Sequence, residues 1–160
     1  MQKIIISPYS KPLLNGKPNA KNFPSWKELV ALLIQEGYEV IQVGTLGEEI
    51  IPGASSIVLG APLSSLKDLV SEALTWISVD NFFPHFATLV CHKKGIVLWG
   101  KSDPAIFGDF SNFNLLKSRD YLRKEQFKWW ETEEYDPSVF VSPEDVIKVL
   151  QENFFYAHTK

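Results

Sequence analysis

Short continuous apolar runs alternate along this chain with stretches whose apolar residues recur at helical spacing. Ile4 to Ser7 is a run of the kind buried on both faces of a parallel sheet, and Pro8 stops it. Tyr38 to Val43, Ile57 to Leu59, Trp76 to Val79, Gly95 to Trp99 and Asn112 to Leu116 read as further strands. Between them, Ser25-Trp26-Lys27-Glu28 has the form of a capping box. It opens a helix that puts Leu29, Leu32 and Leu33, with Trp26, on one stripe and ends at Gly37 in a left-handed cap. Ser65-Leu66-Lys67-Asp68 opens a second helix carrying Leu66, Leu69, Val70, Ala73 and Leu74. A third is predicted from about Phe83 to His92, and Ser142-Pro143-Glu144-Asp145 caps a last one with Val146, Ile147, Val149 and Leu150.

The alternation predicts an α/β fold: a Rossmann-like parallel sheet of about six strands with helices on both faces and right-handed crossovers. Residues 1–160 read as a single domain, in which 117–160 form a C-terminal extension with the final helix. In such sheets ligands bind outside the carboxyl ends of the strands. The crevice is therefore expected to collect the loops at 7–22, 44–49, 80–85 and 99–104.

The residues at those loops define the candidate chemistry. Asp80 ends an apolar run, Asn81 follows as a capping residue, and His85 lies in the first helical turn. A helix amino end there would offer unpaired N–H groups to a phosphate, with Asp80 and His85 on the same crevice. The alternative is that Asp80 caps the helix and His85 is a partly buried structural residue. Lys11, Lys17 and Lys21 share the first long loop. Lys21 is the best placed of them to neutralise a phosphate, because Phe23-Pro24 and the helix start fix its reach. Glu48, after Gly44-x-x-Gly47, either accepts from vicinal ribose hydroxyls or complements a helix dipole. Trp129-Trp130 marks a partner surface or a sugar-stacking site, or else the segment wraps the sheet and buries both rings; burial is the expectation taken here.

Composition narrows the function. The net charge of −3, with scattered basic residues, argues against a nucleic-acid partner. The one cysteine, Cys91, excludes an internal disulfide and fits a reducing compartment. Cys91-His92 reads as a small core residue beside a surface histidine, and histidines at 85, 92 and 158 lack metal-ligand spacing. No dinucleotide fingerprint follows the first strand. No run of eighteen apolar residues and no signal peptide is present, so a cytoplasmic protein without a transmembrane segment is expected.

Several motifs together resemble glycosyltransferase family 9, the heptosyltransferase-like enzymes, in their C-terminal, donor-binding half of a GT-B fold. Lys21-Asn22-Phe23-Pro24 is similar to the family's Lys-x-Trp-Pro. The Gly37-Tyr38 helix end, the Gly44-to-Glu48 turn and Asp80-x-x-x-x-His85-x-Ala87 follow its order, and Gly95 to Phe107 matches its strand followed by Gly-x-(Ser/Thr)-Asp-Pro, which includes Ser102. The resemblance covers most of residues 3–150. It implies a nucleotide-sugar donor, as substrate or ligand, and no cofactor. It implies that Lys21 contacts donor phosphate, Glu48 the ribose and Asp80 the transferred sugar, and that Asn81 and the backbone after it bind the diphosphate, with His85 nearby. Phe82 stands where the family usually has glycine. Its side chain takes the space of close backbone approach, or offers a ring to a base or sugar instead.

The family's other half, which holds the acceptor and the expected general base, has no counterpart in this sequence. The resemblance therefore implies transfer with a partner subunit, or with a homo-oligomer mate as second wall. The competing expectations are a catalytically inactive module that binds or sequesters a nucleotide or nucleotide sugar, and a purely interactive role for Trp129, Trp130 and the C-terminal Phe154-Phe155-Tyr156.

Overall fold

In the computed structural model, which describes residues 1–154, six strands form one fully parallel sheet. They are β1 (Lys3–Ser7), β2 (Glu39–Gly44), β3 (Ser56–Leu59), β4 (Thr75–Val79), β5 (Ile96–Trp99) and β6 (Phe113–Leu116). Their spatial order is β3-β2-β1-β4-β5-β6. The order reverses between β1 and β4, and that switch point leaves a crevice at the carboxyl ends of the strands. The register sets Ile6 beside Ile77 and Ser7 beside Ser78, so the two strands run out together. The predicted α/β class and Rossmann-like sheet are those observed.

Alternation along buried strands sends successive side chains to opposite faces. Ile4, Ile6, Val40, Ile77 and Leu98 pack under α1 (Trp26–Gln35) and α5 (Pro143–Phe154), through Leu29, Val30, Leu33, Val146 and Leu150. Ile5, Ile41, Val43, Trp76 and Val97 face the other way, where Val70 of α2 (Leu63–Glu72) meets Phe83 and Phe86. Phe83 and Phe86 come from α3 (Phe82–His85) and from the wider π-helical turn Phe86–Val90 that continues it.

Several helix ends differ from expectation. Ser25 precedes α1 with a backbone of φ −112° and ψ 35°, and its side chain makes no capping bond, so the predicted capping box does not form. Instead Trp26 is fixed by its indole N–H, which donates to the Pro8 carbonyl at 3.1 Å. Gly37 has φ 92°, and the N–H groups of Gly37 and Tyr38 close back on Ile34 and Leu33, a Schellman ending. The second helix starts at Leu63, behind Pro62, rather than at Ser65. The single helix expected over 83–92 changes pitch at Phe86, and Cys91 N–H reaches the Phe86 carbonyl. A four-residue helix α4 (Pro104–Phe107), too short for a periodic signal, follows Asp103, whose carboxylate caps it. Ser142 and Asp145 do make the reciprocal box that starts α5.

Candidate functional site

The ends of β1 and β4 are stitched together by one side chain. Asn81 Nδ2 donates to Ser7 Oγ and to the Tyr9 carbonyl, each at 3.0 Å. Its Oδ1 accepts from Phe83 N–H at 2.9 Å and from Ser78 Oγ at 3.0 Å. Asn81 is thus the helix cap its sequence position predicts, and it spends the Phe83 N–H that a bound phosphate would otherwise use. Ser10 Oγ donates to the Asp80 carbonyl at 2.7 Å, tying the first loop to the same corner.

Above this corner opens a cavity of about 830 Å³, within the range of small-ligand sites. Lys21, Glu48, Asp80, Asn81 and Phe82 all line it. Lys21 Nζ lies 3.2 Å from Asp80 Oδ2, and Ser102 Oγ donates to that same oxygen at 2.7 Å. Ser102 is buried and lies off the cavity wall; what it fixes is the rotamer of Asp80. Lys21 is held by its own loop as well: Asn19 Oδ1 accepts its N–H, Asn22 Oδ1 accepts Ser10 N–H, and Phe23 packs edge-on against Trp26 and Phe140.

Glu48 is half satisfied. Its Oε1 accepts from Thr45 Oγ1 at 2.9 Å, while Oε2 is buried without a hydrogen-bond partner. A buried carboxylate oxygen without a donor is costly. Here it sits on a cavity wall, so a donor arriving from the cavity would satisfy it. The turn that carries it is pinned by Gln42, which is fully buried and bonds the Glu49 carbonyl and Ile51 N–H. Tyr9 stands on the same wall, and burial, with Glu49 and Glu48 nearby, pushes its phenol up to about 12.

A wall that the sequence did not assign to the crevice comes from residues 127–131. Glu131 takes the Leu14 N–H at 3.1 Å and its carbonyl takes Asn15 Nδ2 at 3.2 Å, so this segment is bound to the first loop. Two cations approach the Trp130 ring, with Lys21 Nζ 4.9 Å and the Arg123 guanidinium carbon 4.0 Å from its centre. Glu133 bridges Arg123 and Lys101 at 3.3 and 3.2 Å. The expectation that both tryptophans are buried is corrected: Trp130 is half-buried, but Trp129 is 78% exposed. Both residues line the cavity, but only the Trp130 ring has cations near it.

His85 does not line the large cavity. It shares a narrow hollow of about 20 Å³ with Asp80, Asp109 and Asn112, and borders an apolar groove of about 440 Å³ with Phe82 and Phe86. Phe82 is 60% exposed, stacks on Phe86 at 5.8 Å and separates that groove from the main cavity. Cys91 is partly buried against the second core cluster, where burial raises its thiol pKa. Tyr9 and Ser10 lie in the 7–22 loop expected at the crevice without being singled out there, and the wall from Val58 to Leu66 was not expected. Ser7-Pro8-Tyr9-Ser10 at the end of the first strand was the available signal. Phe155, Tyr156 and His158 lie outside the described residues. Among the described residues no group of three or more His, Cys, Asp or Glu side chains is placed to hold a metal ion, and no helix is long and apolar enough to cross a membrane.

Comparison with solved structures places this geometry in a fold class. The chain superimposes on ADP-heptose lps heptosyltransferase II of E. coli with a TM-score of 0.71 at 17% identity, covering 98% of this chain and 47% of that one. E. coli heptosyltransferase WaaC with ADP matches at 0.64 and 16%, over 95% and 44%. The iron-containing dodecameric glycosyltransferase TibC from enterotoxigenic E. coli matches at 0.60 and 18%, over 91% and 38%. This chain therefore has a heptosyltransferase-like, glycosyltransferase fold, and it spans less than half the length of these three proteins. No family model and no curated protein matches its sequence.

Proposed function

We propose that the 830 Å³ cavity binds a nucleoside diphosphate sugar, and that the chain is the donor half of a glycosyltransferase whose second wall comes from another chain or a second copy. The observation that carries this reading is the pairing, on one cavity, of an ammonium group at Lys21 with the unpartnered Oε2 of Glu48. The first suits a diphosphate and the second suits a ribose hydroxyl. Asp80, anchored by Ser102, is then the acceptor for sugar hydroxyls. Solved structures with this fold include heptosyltransferase WaaC with ADP and TibC in complex with ADP-D-beta-D-heptose, so these are the first ligands to try.

In the reaction, an acceptor hydroxyl attacks the anomeric carbon, its proton passes to a base in the second half, and the bond to the nucleoside diphosphate breaks. Lys21 stabilises the charge that develops on the departing phosphate. His85, beyond Asp80 in the narrow hollow, is assigned to turnover rather than to binding.

The test is thermal unfolding with nucleoside diphosphates and their sugars. At ~100-fold excess over Kd a ligand stabilises the parent by about 2.7 kcal/mol. Lys21→Ala should lose that shift, measured from the variant's own midpoint, and His85→Ala should keep it. No shift in the parent with any member of the panel overturns the reading.

A second reading, a module that binds without turnover, is favoured by one observation. His85, the group assigned to turnover, does not line the cavity that would hold the ligand. Ligand-induced stabilisation with no sugar released in the presence of any second half selects it.

A further inference from the structure

Trp129 combines a fixed backbone with an uncommitted ring. Its carbonyl accepts from Thr132 Oγ1 at 2.7 Å, from Thr132 N–H at 3.2 Å and from Arg123 Nη2 at 3.3 Å. Its neighbours are held too, Trp130 by the two cations near its ring and Glu131 by the first loop. Yet the Trp129 ring is 78% exposed on the cavity wall and makes no ring contact with any described residue. An aromatic ring on an anchored backbone loses little freedom when it stacks, so it gives binding area at low entropic cost.

The chemistry around it selects what stacks there. Trp130, next in sequence, sits over the Lys21 ammonium, which also contacts Asp80. The Glu48 side of the cavity is instead closed by Gly44, Val58, Gly60 and Leu66, small and aliphatic residues. If Lys21 marks the diphosphate and Glu48 the ribose, as proposed above, the base lies toward the aliphatic side. Trp129, next to the tryptophan that meets Lys21, is assigned on that basis to the side of the phosphates away from Glu48, where the sugar is.

We propose that Trp129 is a stacking platform for the sugar ring of a nucleotide sugar, supplied by this chain's own C-terminal segment. This rests on the reading of the cavity given above. The apolar C–H face of a pyranose lies on the indole while its hydroxyls reach Asp80.

The test is titration calorimetry on the full chain with two matched pairs, ADP and ADP-heptose, and UDP and UDP-glucose. Trp129→Ala should weaken whichever nucleotide sugar binds by about 3- to 10-fold and leave its parent diphosphate within about 2-fold. Trp129→Phe should restore most of the difference. Equal weakening of diphosphate and sugar assigns the ring to the base and overturns the proposal. No effect on either overturns it too, as does a change in oligomeric state on light scattering with unchanged affinities, which makes the ring an interface. A parent that binds none of the four ligands removes the underlying reading of the cavity, a result separable from the others because no variant is needed to see it.

Discussion

Gly44 and Glu48 divide one small space. A Cβ built on Gly44 falls 2.0 Å from Glu48 Oε2, so the glycine is what lets the carboxylate fold back onto the wall. The obstacle is the end of a flexible side chain, so Gly44→Ala should displace the carboxylate at little cost in stability. The expected outcome is an unfolding midpoint close to the parent's and a loss of nucleotide affinity matching that of Glu48→Gln, both read by calorimetry and thermal melts. A large drop in midpoint without a change in affinity removes the ribose role. Gly44 and Glu48 were recognisable as a turn with an acid after it, but the orphaned oxygen was not, because hydrogen-bond satisfaction depends on what the fold brings near. Lys21 shows the same division. Its place in the loop was legible; its ion pair with Asp80, fifty-nine positions away in sequence, required the sheet.

Helix ends show how local rules yield to tertiary partners. The box at Ser142 forms because that turn is exposed and nothing competes with it. The one read at Ser25 does not form, because Trp26 and Phe23 dock into the core and set the backbone there. Asp103 gives a prediction at this scale. Its carboxylate caps α4 through Ala105 N–H and takes two bonds from the Arg119 guanidinium, at 3.1 and 2.8 Å. Those Arg119 bonds, first among the causes, hold its pKa below the ordinary 3.8. A carboxylate whose folded pKa is depressed adds stability above the unfolded pKa and loses it as pH falls through the folded one. Asp103→Asn keeps the capping oxygen and loses the charge, so its deficit against the parent should be full at neutral pH and shrink in acid below about pH 4. Asp103→Ala also loses the cap, a further cost of about 1 kcal/mol that does not depend on pH. Denaturation series at pH 7 and pH 3 check both; a pH-independent deficit for Asp103→Asn contradicts the ion-pair assignment.

At the scale of the whole molecule, the switch point gathers loops that are far apart in the chain into one cavity. The six-stranded order places Ser7, Ser10, Asp80 and Asn81 at one corner, and the C-terminal segment returns to close a side of it. The chain spans 47% or less of the proteins it superimposes on. On the proposed reading, the monomeric chain alone binds a nucleotide sugar without consuming it, and turnover appears in an oligomer of this chain or on adding a chain or lysate fraction that supplies an acceptor half. Chromatography of the sugar before and after incubation reads this directly, and release of sugar by the monomeric chain alone refutes the need for a second half. What the sequence determined by itself was the periodicity: apolar runs and helical stripes settle which segments are strands and which helices, since each residue's preference is local. It also placed Lys21, Glu48 and Asp80 at strand exits. Only tertiary structure decided that Lys21 and Asp80 meet, that His85 falls outside the cavity, and that Trp130 is half-buried while Trp129 stays exposed. Those outcomes are distances between side chains remote in sequence, and packing across the sheet sets them.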